Sequence, residues 1–190
     1  APMALECYQH ALDCADTTAV DCNYAQLCRE YAQMSQIFYE QGLYIQQLKY
    51  DDMSVKYAWM AKDTMAALMS CEQKYFAYMG LGQIDSAIQI IEDVAKQYTQ
   101  YGYTADAAVS LGVITQTLIN RGELEKAHKY MWSYESESGF FDEQGNINKG
   151  RELYYQCKGL YYSKTNRLDS AEHWFRKELQ DGMDFNNQNG

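Results

Sequence analysis

Proline occurs once, at Pro2, in a chain of 190 residues. Beyond that point nothing removes a backbone donor or wedges a ring against the preceding turn, so long helices are permitted throughout. Alternating β-branched and aromatic clusters are also few, while Ala, Gln, Met, Leu, Glu and Lys fill long stretches, a balance that favours helix over strand. Positive charge is scarce: 16 Lys and Arg stand against 26 Asp and Glu, for a formal charge of -10. Nucleic-acid binding draws on Lys and Arg that displace counterions from phosphates, so this balance argues against direct contact with DNA or RNA. No apolar run approaches the roughly 20 residues that cross a bilayer, and the opening APMALECYQH has no basic region followed by an apolar one. A soluble segment without membrane contact of its own is expected.

Signatures of metal, redox and nucleophilic chemistry are missing too. The cysteines, Cys7, Cys14, Cys22, Cys28, Cys71 and Cys157, form no C-x-x-C pair, and His10, His128 and His173 form no H-E-x-x-H. Most of these thiols read as small buried apolar groups. Their even number leaves disulfides open in an oxidising compartment, above all within the crowded run from Cys7 to Cys28. The stretch GFFDEQGNINKGREL, residues 139–153, invites comparison with a calcium loop. Counted from Asp142, however, Ile147 stands where glycine is required and Leu153 where the closing glutamate should be, which leaves an inter-repeat loop. MGLGQID, residues 79–85, lacks the third glycine of a dinucleotide loop and follows a helix, which makes it a turn. With no Ser/His/Asp or Cys/His arrangement to propose, neither enzymatic activity nor a cofactor is expected.

What the chain does have is a repeated phrase. GQIDSAIQII from Gly82 returns as NRLDSAEHWF from Asn166, as GELEKAHKYM from Gly122, and more loosely as GLYIQQLKYD from Gly42; MALECYQHAL from Met3 matches its second half. Aligning the small residue puts Ala4, Gln47, Ala87, Ala127 and Ala171 in register, at separations of 43, 40, 40 and 44 residues. A steady period of this size is the signature of a solenoid. A helical stretch precedes each turn, over about 24–41, 64–81, 104–121 and 148–165, so each unit reads as helix, turn, helix. Asp16 and Thr17, Asp63 and Thr64, and Thr104 stand where helices should begin. Gly42, Gly82, Gly122 and Asn166 stand where helices should end, since these residue types tolerate the left-handed conformation that closes a helix.

The aligned alanine suits a tight hairpin, whose axes approach to about 8 to 10 Å. The preceding helix offers Ser35, Thr115 and Gly159 opposite it, with Tyr75 the exception, and larger residues follow at Phe38, Tyr78, Leu118 and Tyr162. One further register of the second helix holds Tyr8, Ile91, Met131 and Phe175, from which Asp51 departs. Gln47 breaks the small-residue rule, so the second unit is expected to be splayed. Many of the 18 tyrosines fall at core registers.

This pattern resembles the tetratricopeptide repeat family over essentially the whole chain, carried by GQIDSAIQII, GELEKAHKYM, NRLDSAEHWF and YYQCKGLYY. Two features depart from that family: a period longer than its usual 34 or so residues, and the absence of the proline that often closes a repeat. AKDTMAA and DSA are similar to phrases in the repeat arrays of bacterial membrane-linked regulators. The resemblance implies an all-α, right-handed α-α superhelix of helical hairpins over residues 1–181. A partial repeat spans 1–22 and full repeats span about 23–62, 63–102, 103–146 and 147–181, followed by a polar tail, 182–190. It also implies a segment of a longer protein, standing outside a membrane to which it is tethered, with a cytoplasmic location as the alternative.

In such arrays the first helices of successive units line a concave groove that receives a peptide or helix. By register the groove would hold Arg29, Ala32, Gln36 and Tyr39; Met69, Glu72, Phe76 and Met79; Val109, Gly112, Gln116 and Ile119; and Leu153, Gln156, Leu160 and Ser163. Arg29, Gln36, Tyr39, Glu72, Phe76, Met79, Gln116 and Gln156 are the ligand candidates among them. One arginine cannot form the converging Lys, Arg and Asn set that clamps a terminal carboxylate, which argues against a carboxylate-clamp cochaperone. A non-enzymatic scaffold that docks a protein or peptide is therefore expected, as the sensing part of a larger bacterial regulator. The alternative is a self-associating homo-oligomer or spacer module.

Overall fold

A computed structural model of the chain describes residues 2–14, 22–136, 141 and 151–189. Among these residues the chain is all-α, with nine helices: α1 (Pro2–Asp13), α2 (Tyr24–Glu40), α3 (Tyr44–Met60), α4 (Thr64–Gly80), α5 (Ile84–Gln100), α6 (Thr104–Arg121), α7 (Leu124–Ser136), α8 (Arg151–Lys164) and α9 (Leu168–Asn189). Three of the hairpins expected from the repeated phrase are seen directly, as α2 packs on α3, α6 on α7 and α8 on α9. The segment expected to be a polar tail is helical, because α9 continues without interruption to Asn189. Asp16, Thr17 and the loop running from Asp142 lie outside the described residues.

The turns repeat hydrogen bond for hydrogen bond. After α2, the Gly42 N–H donates to the Tyr39 carbonyl at 2.9 Å and the Leu43 N–H to that of Phe38 at 2.9 Å. The same pair recurs as Gln83 to Tyr78, Glu123 to Leu118 and Arg167 to Tyr162, at 2.8 to 2.9 Å, each with its companion bond one residue earlier. Closure of this kind needs one left-handed residue, which Gly122 supplies at φ 78° and Asn166 at φ 58°. Lys62 occupies the same conformation after α3, at φ 58°, without being glycine or asparagine. At the other end, the Asp63 carboxylate accepts the Ala66 N–H at 2.9 Å, as its position predicts, and the Asn23 side chain accepts the Gln26 N–H at 3.0 Å. Thr104 does not cap α6. It is the first residue inside the helix, and the capping position belongs to Tyr103, which makes no side-chain cap bond.

The chain divides into two compact units, Ala1–Ile90 and Ile91–Gly190, with the boundary inside α5. In the first unit α1 to α4 pack consecutively and α2 also meets α4. Leu27, Cys28, Tyr57, Ala58 and Ala67 form a core. An aromatic ladder joins α2 to α3: Tyr31 stacks on Tyr57 at 5.4 Å and lies 5.9 Å from Tyr50, which in turn lies 4.9 Å from Phe38. Gln47 therefore does not splay this hairpin. It is buried in the interior, and its amide N–H donates to the Gln73 carbonyl at 3.1 Å.

In the second unit α6 packs on α7 and α8, and α8 on both α7 and α9. Ala127 and Ala171 are buried at the aligned site, as Ala87 is in the first unit. Leu153 of α8 lies directly over Gly112 of α6, where an added Cβ would fall 2.6 Å from its Cδ2. The Phe175 ring sits over Gly159 in the same manner. Trp174 is held between Tyr155, stacked at 5.8 Å, and Tyr154, edge-on at 6.0 Å.

Candidate functional site

In the first unit the first helices α2 and α4 face each other across a cleft of about 340 Å³. Arg29, Ala32, Gln33 and Gln36 line it from α2, Ala66, Met69, Ser70 and Gln73 from α4, and Asp51 of α3 is also in its lining. Helical spacing explains the walls, since residues at i, i+3, i+4 and i+7 share one face. Arg29, Ala32 and Gln36 on α2, with Met69 and Gln73 on α4, satisfy it. Two of the sequence candidates, Arg29 and Gln36, thus lie in one cleft. Further along the same helices Tyr39 and Phe76 are exposed, with ring centroids 5.8 Å apart. Glu72 and Met79 are half-buried on α4.

In the second unit Gln116 and Gln156 meet, the Gln116 amide donating to the Gln156 carbonyl oxygen at 2.8 Å. They tie α6 to α8. Gly112 and Ile119, which the register placed in the groove, are buried packing positions, and Val109 is exposed.

The feature that sequence reasoning missed is the polar interior of α3. Gln47, Asp51 and Ser54 fall one turn apart on a single face and are all buried, Asp51 with 1% of its surface exposed. The Ser54 hydroxyl donates to the Cys28 carbonyl at 3.0 Å and lies 2.8 Å from the Ser70 hydroxyl. The Ser35 hydroxyl of α2 donates to Asp51 Oδ1. Asp51 Oδ2 and Gln47 Oε1 are buried without a hydrogen-bond partner. Burial pushes the Asp51 pKa up to about 6, against the opposing pull of the Ser35 hydroxyl, the Lys74 ammonium and the Gln47 amide. Lys74 is directed elsewhere, forming an ion pair with Asp52. Burial works against its charge, but Asp52 holds its pKa above the ordinary lysine value. The one signal in the sequence was the departure of Asp51 from a register otherwise held by Tyr8, Ile91, Met131 and Phe175.

A second cleft, of about 410 Å³, lies among α5, α6 and α7 in the second unit, bordered by Glu92, Lys96, Leu111, Lys129, Tyr130 and Ser133. Burial, with the nearby Glu92 carboxylate, raises the Tyr130 pKa, and Lys96 pairs with Glu92 at 3.4 Å. Also in this unit, Glu135 accepts the Tyr154 hydroxyl at 2.6 Å and pairs with Lys158. Burial would raise the Glu135 pKa, but these two donors hold it below the ordinary value. Among the described residues no three His, Cys, Asp or Glu side chains are grouped so as to hold a metal ion, and no helix is long and apolar enough to cross a membrane. Of the cysteines, Cys7 and Cys14 are exposed and Cys28 and Cys157 buried.

No protein-family model matches the sequence, and no curated protein does.

Proposed function

We propose that this chain is a non-enzymatic scaffold whose first helices dock a segment of another protein. The supporting observation is the α2–α4 cleft, continued by exposed Tyr39, Phe76 and Met69 on the same two helices. Paired aromatics beside a methionine offer apolar area to a helix or extended peptide, and the glutamine amides offer adaptable hydrogen bonds at its edges. The recurring turn geometry supports extending the hairpins into a tetratricopeptide-like, right-handed superhelix. Placement within a larger bacterial signalling protein is part of the same proposal and rests on the resemblance alone.

The experiment is a displayed peptide library selected on the full chain, followed by affinity measurement against Tyr39→Ala and Phe76→Ala. Both residues are exposed, so the variants should fold. Selected peptides are expected to lose about tenfold or more in affinity on at least one of them. Failure to enrich any peptide, or enrichment of peptides indifferent to both changes, would refute the groove.

A different observation favours self-association as a second reading. Leu168, Phe175, Leu179 and Met183 are exposed at helical spacing along one face of α9. Sedimentation equilibrium over a wide concentration range decides it: the chain is expected to dimerise and Leu179→Glu to return it to monomer. A strict monomer throughout would eliminate this reading.

A further inference from the structure

The α2–α4 cleft mixes polar and apolar residues in its walls and has in its lining a buried carboxylate with one oxygen unpartnered. Ala32, Ala66 and Met69 supply the apolar part of the walls, beside Arg29, Gln33, Gln36, Ser70 and Gln73, and Asp51 supplies the carboxylate. One oxygen, Oδ1, is occupied by the Ser35 hydroxyl, while the other is buried and unpartnered. An ionised carboxylate buried in this way is costly unless a donor reaches it, and most costly when no cation does. Of the cations around it, Lys74 is paired with Asp52, and Arg29, which lines the same cleft, donates to the Gln26 side-chain carbonyl.

Building on the groove proposed above, we infer that this cleft is a subsite for a lysine side chain of the docked segment, its ammonium received by Asp51 Oδ2. Three observations select that occupant. The chain carries a formal charge of -10, so a basic segment is drawn to it. Lysine pairs a methylene stem with a compact charged head, which suits Ala32, Ala66 and Met69 in the same cleft as a carboxylate. Arginine fits less well, because a guanidinium is best satisfied by two parallel acceptors and Asp51 offers a single free oxygen.

Several charged and titratable groups among the described residues lie in the cleft or act on Asp51. They include Arg29 and Cys28 on α2, Lys74 on α4, and its own neighbour Asp52. Protonating Asp51 removes the charge and turns Oδ2 into a potential donor, so lysine binding should weaken as the pH falls toward 5.

The test uses the full chain and two probes. Peptides selected from the displayed library are remade with norleucine in place of lysine, and n-butylammonium chloride is titrated against 1-butanol while the backbone amide signals of Ser35, Gln36, Asp51 and Ser70 are followed by NMR. A lysine is expected at one fixed position of the selected peptides. Its replacement by norleucine and the Asp51→Asn change should each weaken binding about tenfold or more, with little further loss when combined. Glu125→Gln, on α7 in the other unit, should leave binding unchanged. If peptides are selected but keep their affinity with norleucine or on Asp51→Asn, the lysine subsite is wrong while the groove stands. If no peptide is selected, the groove fails, and n-butylammonium alone decides the subsite. Shifts at these four amides that 1-butanol and Asp51→Asn fail to reproduce support it, and their absence overturns it.

Discussion

Asp51→Asn is expected to stabilise the protein at neutral pH. The carboxyl is buried, with its pKa moved from an ordinary 3.8 to about 6. Between these values the folded chain keeps a proton that the unfolded chain has released. The free energy of unfolding therefore falls as the pH rises from about 4 to about 6, and the deficit is complete above that window. A displacement of about two pH units corresponds to about 3 kcal/mol at 1.36 kcal/mol per unit, which is the upper bound on what ionised Asp51 costs the fold. Asparagine has the same shape, can still accept from Ser35, and adds a donor where Gln47 Oε1 lacks one. Urea unfolding followed by circular dichroism at pH 4 and pH 8 should show Asp51→Asn within about 1 kcal/mol of the parent at the lower pH. At the higher pH it should be more stable by about 2 to 3 kcal/mol. A variant less stable than the parent at pH 8, or one with the parent's slope between pH 4 and 6, would refute this account of the buried carboxylate.

Three further perturbations test the repeat and the interior. Ala87→Leu and Ala171→Leu should overpack buried hairpin contacts and cost about 1 to 3 kcal/mol, whereas Ala66→Leu, at a half-buried cleft position, should cost less; equal tolerance in urea melts would show the register to be wrong. Asp63→Ala should cost about 1 kcal/mol through the lost cap on the Ala66 N–H, while Thr104→Ala, inside the first turn of α6, should stay within about 0.5 kcal/mol; the reverse order would contradict the capping assignment. A thiol reagent should label exposed Cys7 and Cys14 promptly and spare buried Cys28 and Cys157 until urea is added. Burial, aided by Glu178, pushes the Cys157 thiol pKa up to about 12, and its prompt labelling in the native chain would contradict that burial.

Helix boundaries were legible because their determinants are local. Asp63 accepts an N–H three residues on, and a residue such as Asn166 closes its turn with carbonyls three and five residues back. Thr104 begins α6 as expected but does not cap it, because a threonine can stand either at the cap or just inside it, and only backbone geometry separates the two positions. The C-terminal segment read as a polar tail for want of periodicity, yet polar residues do not end a helix that nothing interrupts.

The candidate site divides the same way. Shared helix faces could be counted along the chain, which brought Arg29 and Gln36 to one cleft and set Tyr39 beside Phe76. The roles of Gln47 and Asp51 could not be counted, because a polar residue at an apolar register reads as a flaw in the repeat until its neighbours are known.

The sequence alone determined the helices, their turns and their period of about 40 residues, since each depends on residues within a few positions of one another. Only the tertiary structure decided that Gln47 and Asp51 are interior, that Ser35 takes one carboxylate oxygen and leaves the other bare, and that Lys74 pairs with Asp52 instead. Those outcomes depend on contacts between helices 16 to 26 residues apart in the chain, where burial sets the cost of each unpaired group.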